Sequence, residues 1–187
     1  MNELKDHMNM VFQWVTTKGI LCNEPLRGVR FNIVDVVMHA DAIHRGAGQI
    51  SPAGRNCMYA SQLTGDPALY EPLFLAEVQV PEKYVGTVYS CFNQRRGKVV
   101  SEEKSQTSVM TTIKAHIPVG ESFGFNEFLR SKTSGQAFLQ CVFSHWELVN
   151  GDVNDVNSKI RQMIDEVRKQ KDLESEIPKL ENYLDKL

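Results

Sequence analysis

The sequence predicts an α+β protein built around a four-stranded antiparallel sheet with two helices on one face. The first observation is the order of apolar patterns between residues 71 and 150, which alternate between strand and helix periods as β-α-β-β-α-β. The second is that apolar residues recur at helical spacing before and after this stretch. Over about 75 residues, this order and size fit the ferredoxin-like split β-α-β sandwich.

The first part of the chain, residues 1–70, opens with a helix and continues with a strand. Between Glu3 and Thr16 the apolar residues fall on one helical face, which predicts an amphipathic helix. From Val29 to Met38 apolar and polar residues alternate, and the second half is apolar on both faces. A strand that is apolar on both faces is typical of the middle of a sheet, so we expect a central strand here.

A polar and glycine-containing loop follows this strand, from His39 to Ile50. Ser51 and Pro52 then provide an N-cap and a first-turn proline for a helix over 55–63. Breaks at 65–67 and 71–72 place a domain boundary after residue 70. We therefore expect three parts, which are residues 1–70, 71–150 and 151–187.

The second part contains the sheet, and the third contains helices. In residues 71–150 the pattern predicts strands over 73–80, 97–102, 110–117 and 137–148, and helices over 81–92 and 121–130. After residue 150, one helical stripe consists of Val156, Ile160, Met163, Ile164 and Val167, and a second consists of Ile177, Leu180, Leu184 and Leu187. Isolated helices need a surface to pack on, so we expect this tail to fold back on the protein.

Composition excludes several classes of protein. The chain has 187 residues, of which 42% are apolar and 24% charged, which is typical of a globular protein rather than a disordered one. It has no apolar run long enough to span a bilayer and no recognisable secretory signal. The net charge of −2 excludes binding to nucleic acid through bulk charge alone. Four cysteines without a paired motif indicate reduced, cytosolic thiols.

The motifs that could support chemistry are incomplete. Gly46 and Gly48 lack the third glycine of a dinucleotide fingerprint and the lysine of a phosphate-binding loop, so we expect no GTP site in this chain. His39, Asp41 and His44 are close in sequence, but no further ligand on a nearby element is evident, so we expect no metal site. A serine or cysteine nucleophile would need a positioned base, and no nucleophile-elbow pattern is present.

His44 stands in the most distinctive surroundings of the five histidines. An arginine and two glycines follow it, at a turn between the expected strand and the expected helix. Glycines let a backbone approach another surface closely, and loops on rigid scaffolds often make functional contacts. From these residues alone, a contact site and an ordinary loop histidine both remain open. Residues 95–98 and 168–171 are locally basic, either as solvated helix ends or as RNA contacts.

The loop resembles a known protein family. His39-Ala40-Asp41-Ala42-Ile43-His44-Arg45-Gly46 and Gly48-Gln49 are similar to the diphthamide loop of the eukaryotic elongation factor 2 family. Collinear likenesses continue at Gly28-Val29-Arg30-Phe31, Glu121-Ser122-Phe123-Gly124-Phe125, Gly135-Gln136-Ala137-Phe138 and Leu184-Asp185-Lys186-Leu187. The resemblance covers essentially the whole chain.

The resemblance implies a part of a five-domain GTPase that moves tRNA and mRNA through the ribosome. Residues 1–70 would be the C-terminal part of domain IV, an α/β domain like the second domain of ribosomal protein S5. Residues 71–150 would be the ferredoxin-like domain V, and residues 151–187 the C-terminal helical tail. GTP and Mg²⁺ belong to a domain absent from this chain, so no cofactor and no catalytic residue are implied here. The implied location is the cytoplasm, without a membrane partner.

The resemblance also assigns the loop. His44 matches the histidine that is converted to diphthamide and then ADP-ribosylated by diphtheria toxin and related toxins. The implied partners are therefore the ribosome with its bound mRNA and tRNA, the diphthamide biosynthesis enzymes and those toxins. Residues expected to contact RNA in the decoding region are Asp41, His44, Arg45, Gly46, Gly48 and Gln49.

One departure from the family lies inside the loop. Ala47 replaces the middle of three glycines, and an alanine at a turn position with positive φ would strain the backbone. Two alternatives to the translocation factor stay open: the spliceosomal paralogue of this family, and an unrelated small enzyme that acts through His44 or a cysteine. The intact sequence around His44 favours the translocation factor over the paralogue.

Overall fold

The computed structural model describes residues 2–105 and 109–184, and it divides into two compact units. The first unit combines residues 1–68 with 150–187, and the second is residues 69–149. The helices are α1 (Asn2–Thr17), α2 (Ala47–Thr64), α3 (Val85–Gln94), α4 (Val119–Ser122), α5 (Phe125–Lys132) and α6 (Lys159–Gln170). The strands are β1 (Tyr70–Pro81), β2 (Lys98–Lys104), β3 (Met110–Pro118) and β4 (Phe138–Leu148). Among the described residues, no helix is both long and apolar enough to cross a bilayer.

The second unit confirms the predicted β-α-β-β-α-β order. Its strands form one sheet in the order β2-β3-β1-β4, and the three neighbouring pairs are all antiparallel. The sheet residues that face inward alternate along β1 and β3, and they share one core with α3 and α5. That core includes Val78, Ile113, Phe92, Phe125 and Leu129, all of which are fully buried. Both helices therefore cover the same face of the sheet, as the apolar pattern predicted.

The helix expected over 121–130 is interrupted. The chain forms the single turn α4, leaves helical geometry at Phe123 and begins α5 at Phe125. Gly124 between them has a φ of 69°, in the left-handed region where a side chain is strained. The apolar spacing of Phe125, Phe128 and Leu129 was correct, but a continuous helix across Gly124 was wrong.

The first helix is confirmed, and the second begins earlier than predicted. Val11 and Val15 of α1 are fully buried against Met58 of α2. However, α2 starts at Ala47, so Ser51 and Pro52 lie inside the helix rather than at its cap. Pro52 has no N–H to donate to the carbonyl of Gly48 four residues earlier, and because Gly48 is exposed, water can satisfy that carbonyl instead.

The strand predicted over Val29–Met38 is wrong. No regular secondary structure forms there, and its apolar side chains face solvent, with Val34 94% and Val37 93% exposed. Phe31 and Met38 are half-buried, and Phe31 packs against the core of α1 and α2, where its ring contacts that of Phe12 edge-on at 6.1 Å. A strand needs a neighbour to satisfy its backbone, and none of the described residues of the first unit forms one.

As far as residue 184, the last that the structure describes, the tail forms one α-helix instead of two. Ser158 caps α6 by accepting a hydrogen bond from the backbone N–H of Arg161 at 3.2 Å, and Ile160 and Ile164 are buried. The second predicted stripe forms only a 3₁₀ turn over Leu180–Asn182, shortly after Pro178. Leu187, the last residue of that stripe, lies outside the described residues.

Candidate functional site

The loop singled out by the sequence folds as a short 3₁₀ turn that leads directly into a helix. The turn covers Ala42–Arg45, and its backbone closes when the N–H of His44 donates to the carbonyl of Asp41 at 3.2 Å. Gly46 then serves as the N-cap of α2. Asp41, His44, Gly46, Gly48 and Gln49 are exposed, whereas Arg45 is half-buried.

Arg45 holds the loop together from within. Its guanidinium donates from Nε to the carbonyl of His39 and from Nη2 to the carbonyl of Ala40, each at 2.8 Å. These bonds tie the turn to the two residues before Asp41. They occupy two of the five N–H donors of the guanidinium, so Arg45 combines an internal structural role with remaining capacity for other contacts.

The Arg45 bonds bring His39 and His44 side by side. Their ring centroids lie 4.5 Å apart with an interplanar angle of 65°. The backbone N–H of Asp41 donates to Nδ1 of His39 at 3.1 Å. One potential ligand atom from each of His39, Asp41 and His44 lies within 4.8 Å of the others. The sequence showed that these three residues are neighbours along the chain, but it led us to look for a further ligand on another element, whereas the third potential ligand is Asp41, the residue that begins the turn.

The glycines of the loop leave its backbone bare. A Cβ added at Gly46 or Gly48 would meet no atom within 4 Å, and neither residue has a positive φ. The fold of this chain therefore does not require glycine at either position. The N–H of Gln49 donates back to the carbonyl of Gly46 at 3.0 Å, and because Gly46 has no side chain, no N-cap side chain competes with an outside acceptor for the other N–H groups of the first turn.

The strain expected at Ala47 is absent. Ala47 is the first residue of α2, and its φ is not among the positive values of the described backbone. A helical position favours alanine over glycine because alanine loses less backbone entropy on folding. The expectation that Ala47 sits at a positive-φ turn was therefore wrong, and its methyl group fits the observed backbone.

The two basic segments turn out to be bound within their own units. Arg96 pairs with Glu71 through two hydrogen bonds, and Lys98 pairs with Glu147 at 2.9 Å. At the end of α6, the Arg168 guanidinium is buried and donates to the carbonyls of Leu21, Glu174 and Glu176. Lys171 similarly donates to the carbonyls of Cys22 and Asn23 and pairs with Glu24. The interpretation of 168–171 as a solvated helix end therefore fails for Arg168, whereas Lys169, Gln170 and Lys171 are exposed.

A serine lies beside two imidazoles on the face of the sheet that the helices leave uncovered. Ser144 Oγ is 2.8 Å from Nδ1 of His145 and 3.3 Å from Nε2 of His116. A cavity of about 140 Å³ adjoins His116. Catalysis by such a pair needs a third group that orients the base. The two carboxylates that line the cavity, Glu71 and Glu147, are instead bound to Arg96 and Lys98.

The cysteines give little support to the enzyme alternative. Burial raises the pKa of the thiols of Cys22, Cys91 and Cys141, which favours the unreactive thiol form at neutral pH. Cys57 is exposed on α2. The His44 ring lies against that of His39, with a potential ligand atom of Asp41 close by. The loop therefore has the features of a contact site more than those of a nucleophilic one.

Comparison with known protein families accounts for most of the chain. Residues 1–66 match the model of elongation factor G, domain IV. Residues 68–157 match the model of the elongation factor G C-terminus. Neither match is to the GTP-binding domain of that factor. The two matches are collinear, and they meet where the chain passes from the first unit to the second. The chain therefore belongs to the elongation factor G family of translation factors and carries regions equivalent to its domain IV and its C-terminus.

Proposed function

We propose that this chain is part of the eukaryotic type of the family, and that its loop over residues 41–49 contacts RNA in the ribosomal decoding region during translocation. In this proposal residues 1–70 are the C-terminal part of domain IV, residues 71–150 are domain V and residues 151–187 are the C-terminal tail. GTP and Mg²⁺ act in a separate domain of the factor. The chain itself carries out no chemical step, and it works in the cytoplasm.

The arrangement of the loop carries this proposal. His44 and Gln49 present exposed hydrogen-bonding side chains, and Arg45 adds a positive charge next to them. The bare backbone at Gly46 and Gly48 allows close approach by a large partner, and the start of α2 favours phosphate oxygens. RNA offers both phosphates and 2′-hydroxyl groups, and recognition of such groups uses these short donors.

In the same proposal His44 is the residue converted to diphthamide. Its exposure in a 3₁₀ turn supports this role, because the modifying enzymes must reach the imidazole. Diphthamide would add a trimethylammonium group and an amide, which extend the reach of the side chain and add positive charge. The diphthamide biosynthesis enzymes and ADP-ribosylating toxins are then partners of this loop.

Toxin-catalysed labelling tests the assignment of His44. Protein purified from its native cells should accept ADP-ribose from NAD in the presence of diphtheria toxin, and His44→Ala should abolish the transfer. His145→Ala is the matched control, because His145 is also exposed but lies in the second unit. Protein made in bacteria should remain unlabelled. Transfer that survives His44→Ala would contradict the assignment.

Mass spectrometry of the peptide that contains His44 separates this proposal from the spliceosomal alternative. The translocation factor should carry the full diphthamide mass on His44 in native cells. A bare histidine in cells that modify other substrates would favour the spliceosomal paralogue, which needs no modification at this position.

A further inference from the structure

We propose that the unmodified loop binds one divalent transition-metal ion, with Zn²⁺ as the reference ion. The ligands are the imidazoles of His39 and His44 and the carboxylate of Asp41. This inference goes beyond the ribosomal role and rests on the geometry of the loop alone, whether or not His44 is modified in cells. It revises the expectation from sequence that the loop holds no metal.

The three side chains already lie close to a coordinating arrangement. Their potential ligand atoms are within 4.8 Å of one another. On a tetrahedral Zn²⁺ ion with bonds near 2 Å, neighbouring ligand atoms are about 3.4 Å apart. The cluster therefore needs to close by little more than about 1 Å, which small rotations of exposed side chains can provide. Water completes the fourth position, as in zinc sites with three protein ligands.

The backbone beneath the cluster is held in place before any ion binds. The Arg45 guanidinium fixes the carbonyls of His39 and Ala40, and the 3₁₀ bond from His44 to Asp41 fixes the turn. Preorganised ligands lose less conformational freedom on binding than ligands on a free chain. A loop of this kind is therefore a better metal site than the same three residues in an unstructured segment.

Two features of the loop oppose binding, and both are small. Nδ1 of His39 accepts a hydrogen bond from the Asp41 backbone, and coordination by either ring nitrogen of His39 disrupts this bond. The bond is exposed, so water replaces it. The positive charge of Arg45 also disfavours a cation, but the Asp41 carboxylate offsets that charge.

The donor set defines the class of ion. Two imidazole nitrogens and one carboxylate oxygen suit Zn²⁺, Ni²⁺ and Cu²⁺, which prefer nitrogen donors. Mg²⁺ and Ca²⁺ prefer sites built entirely from oxygen. The loop should therefore distinguish transition metals from the abundant alkaline-earth ions.

A second pair of histidines in the same chain provides an internal control. The rings of His116 and His145 lie 5.0 Å apart in the second unit. Ser144 bonds to both rings, and the nearby Glu147 carboxylate is held by Lys98. Within the described residues, His39, Asp41 and His44 are the trio of metal-binding side chains that come together.

Isothermal titration calorimetry with ZnCl₂ tests the proposal on the full chain, made in bacteria and freed of any affinity tag. We expect one Zn²⁺ per chain, with no heat from MgCl₂. His39→Ala, His44→Ala and Asp41→Asn should each weaken Zn²⁺ binding by about tenfold or more. His145→Gln should bind Zn²⁺ as the unchanged protein does. All three ligand side chains are exposed, so the variants should fold, and far-ultraviolet circular dichroism checks this.

Several results would overturn the proposal. They are no Zn²⁺ binding, binding that survives the double variant His39→Ala/His44→Ala, or equal loss with His145→Gln. Co²⁺ in place of Zn²⁺ adds a spectroscopic check, because intense near-ultraviolet thiolate bands would move the ion to an exposed cysteine such as Cys57. The toxin-labelling test is independent of these results, since a chain without diphthamide can still bind Zn²⁺.

Discussion

At the scale of single residues, a buried arginine, Arg168, stabilises the first unit through hydrogen bonds that the sequence does not reveal. Arg168 is only 5% exposed, and its guanidinium donates to three backbone carbonyls rather than to a carboxylate. Two of the carbonyls lie just after α6, and the third belongs to Leu21 near the start of the chain. One side chain therefore connects distant parts of the first unit through backbone groups that burial would otherwise leave without donors.

Replacing Arg168 with methionine should lower the free energy of unfolding by about 1–3 kcal/mol, because buried carbonyls lose their donor. Methionine keeps much of the side-chain volume, so the change isolates the hydrogen bonds from the packing. Lys169→Met is the control, because Lys169 is exposed on the same helix and its loss should change stability by less than about 0.5 kcal/mol. Urea denaturation measures both. Equal effects of the two variants would contradict the role of Arg168.

Two glycines of the second unit differ in a way that denaturation can measure. A Cβ at Gly97 would lie 2.7 Å from Cδ1 of the buried Phe92, whereas a Cβ at Gly86 would meet nothing within 4 Å. Gly97→Ala should therefore destabilise the protein by about 1–3 kcal/mol through overpacking. Gly86→Ala, within α3, should be neutral or stabilising by up to about 1 kcal/mol. Urea midpoints that shift in the same direction would show that the contact with Phe92 is unimportant.

At the scale of elements, the segment from Val29 to Met38 has the composition of a strand without the partners of one. Its apolar residues are exposed, and among the described residues no strand pairs with it. Exposed apolar residues in a segment of high β-propensity are a recognised site of aggregation. Only Phe31 contributes to a core, through its contact with α1 and α2.

The double change Val34→Lys/Val37→Lys should therefore reduce aggregation while leaving the fold unaffected. Both valines are more than nine-tenths exposed, so the free energy of unfolding should change by less than about 0.5 kcal/mol. Light scattering during heating should show later or weaker aggregation. Phe31→Ala is the contrasting variant, and it should cost about 2 kcal/mol because it removes a ring from the core. Unchanged scattering in the lysine variant would place the aggregating surface elsewhere.

At the scale of the whole molecule, the second unit could be predicted from sequence more fully than the first. All four strands of its sheet lie within this chain, so each local pattern finds its partners, and the predicted order is the observed one. The alternation of apolar and polar residues over Val29–Met38 was equally clear. Such alternation shows that a segment is suited to a sheet, but a strand forms only where a neighbouring strand is present to pair with it. The predicted ends of helices were wrong where a single residue determines them, as Gly124 does between α4 and α5.

The candidate site was likewise predictable only in part. The sequence around His44 was enough to single out the loop, in which the structure exposes His44. The approach of His39 to His44 was not predictable, because it depends on bonds from Arg45 to two backbone carbonyls. The burial of Arg168 was hidden for the same reason, since its partners are carbonyls that can belong to any residue type. Because every residue has a backbone carbonyl, the sequence does not show which residue accepts a side-chain hydrogen bond of this kind.

The response of the whole protein to acid should include a contribution from the open face of the sheet. The hydrogen bond from Lys98 lowers the pKa of Glu147 below its ordinary value of 4.5. A lowered folded-state pKa contributes stability above the unfolded pKa and loses it as the pH falls through the folded value. Lys98→Met should therefore cost up to about 1 kcal/mol at pH 7, because the pair is exposed. Urea denaturation should show that cost shrinking as the pH falls below 4.5; a cost that stays constant there would mean that Lys98 acts through packing.

Substitutions at the glycines of the loop and at Gly97 should have different consequences in cells, the first impairing function and the second impairing folding. A Cβ added at Gly46 or Gly48 would meet no atom of the described chain within 4 Å, whereas a Cβ added at Gly97 would lie 2.7 Å from the ring of Phe92 in the core. In cells that depend on this protein, alleles with small side chains at Gly46 or Gly48 should accumulate to normal abundance and fail only in translation. Alleles at Gly97 should instead be temperature-sensitive and be cleared by proteolysis. Comparing protein level with growth rate across such alleles would map, without any structure of a complex, which surface of this chain meets the ribosome.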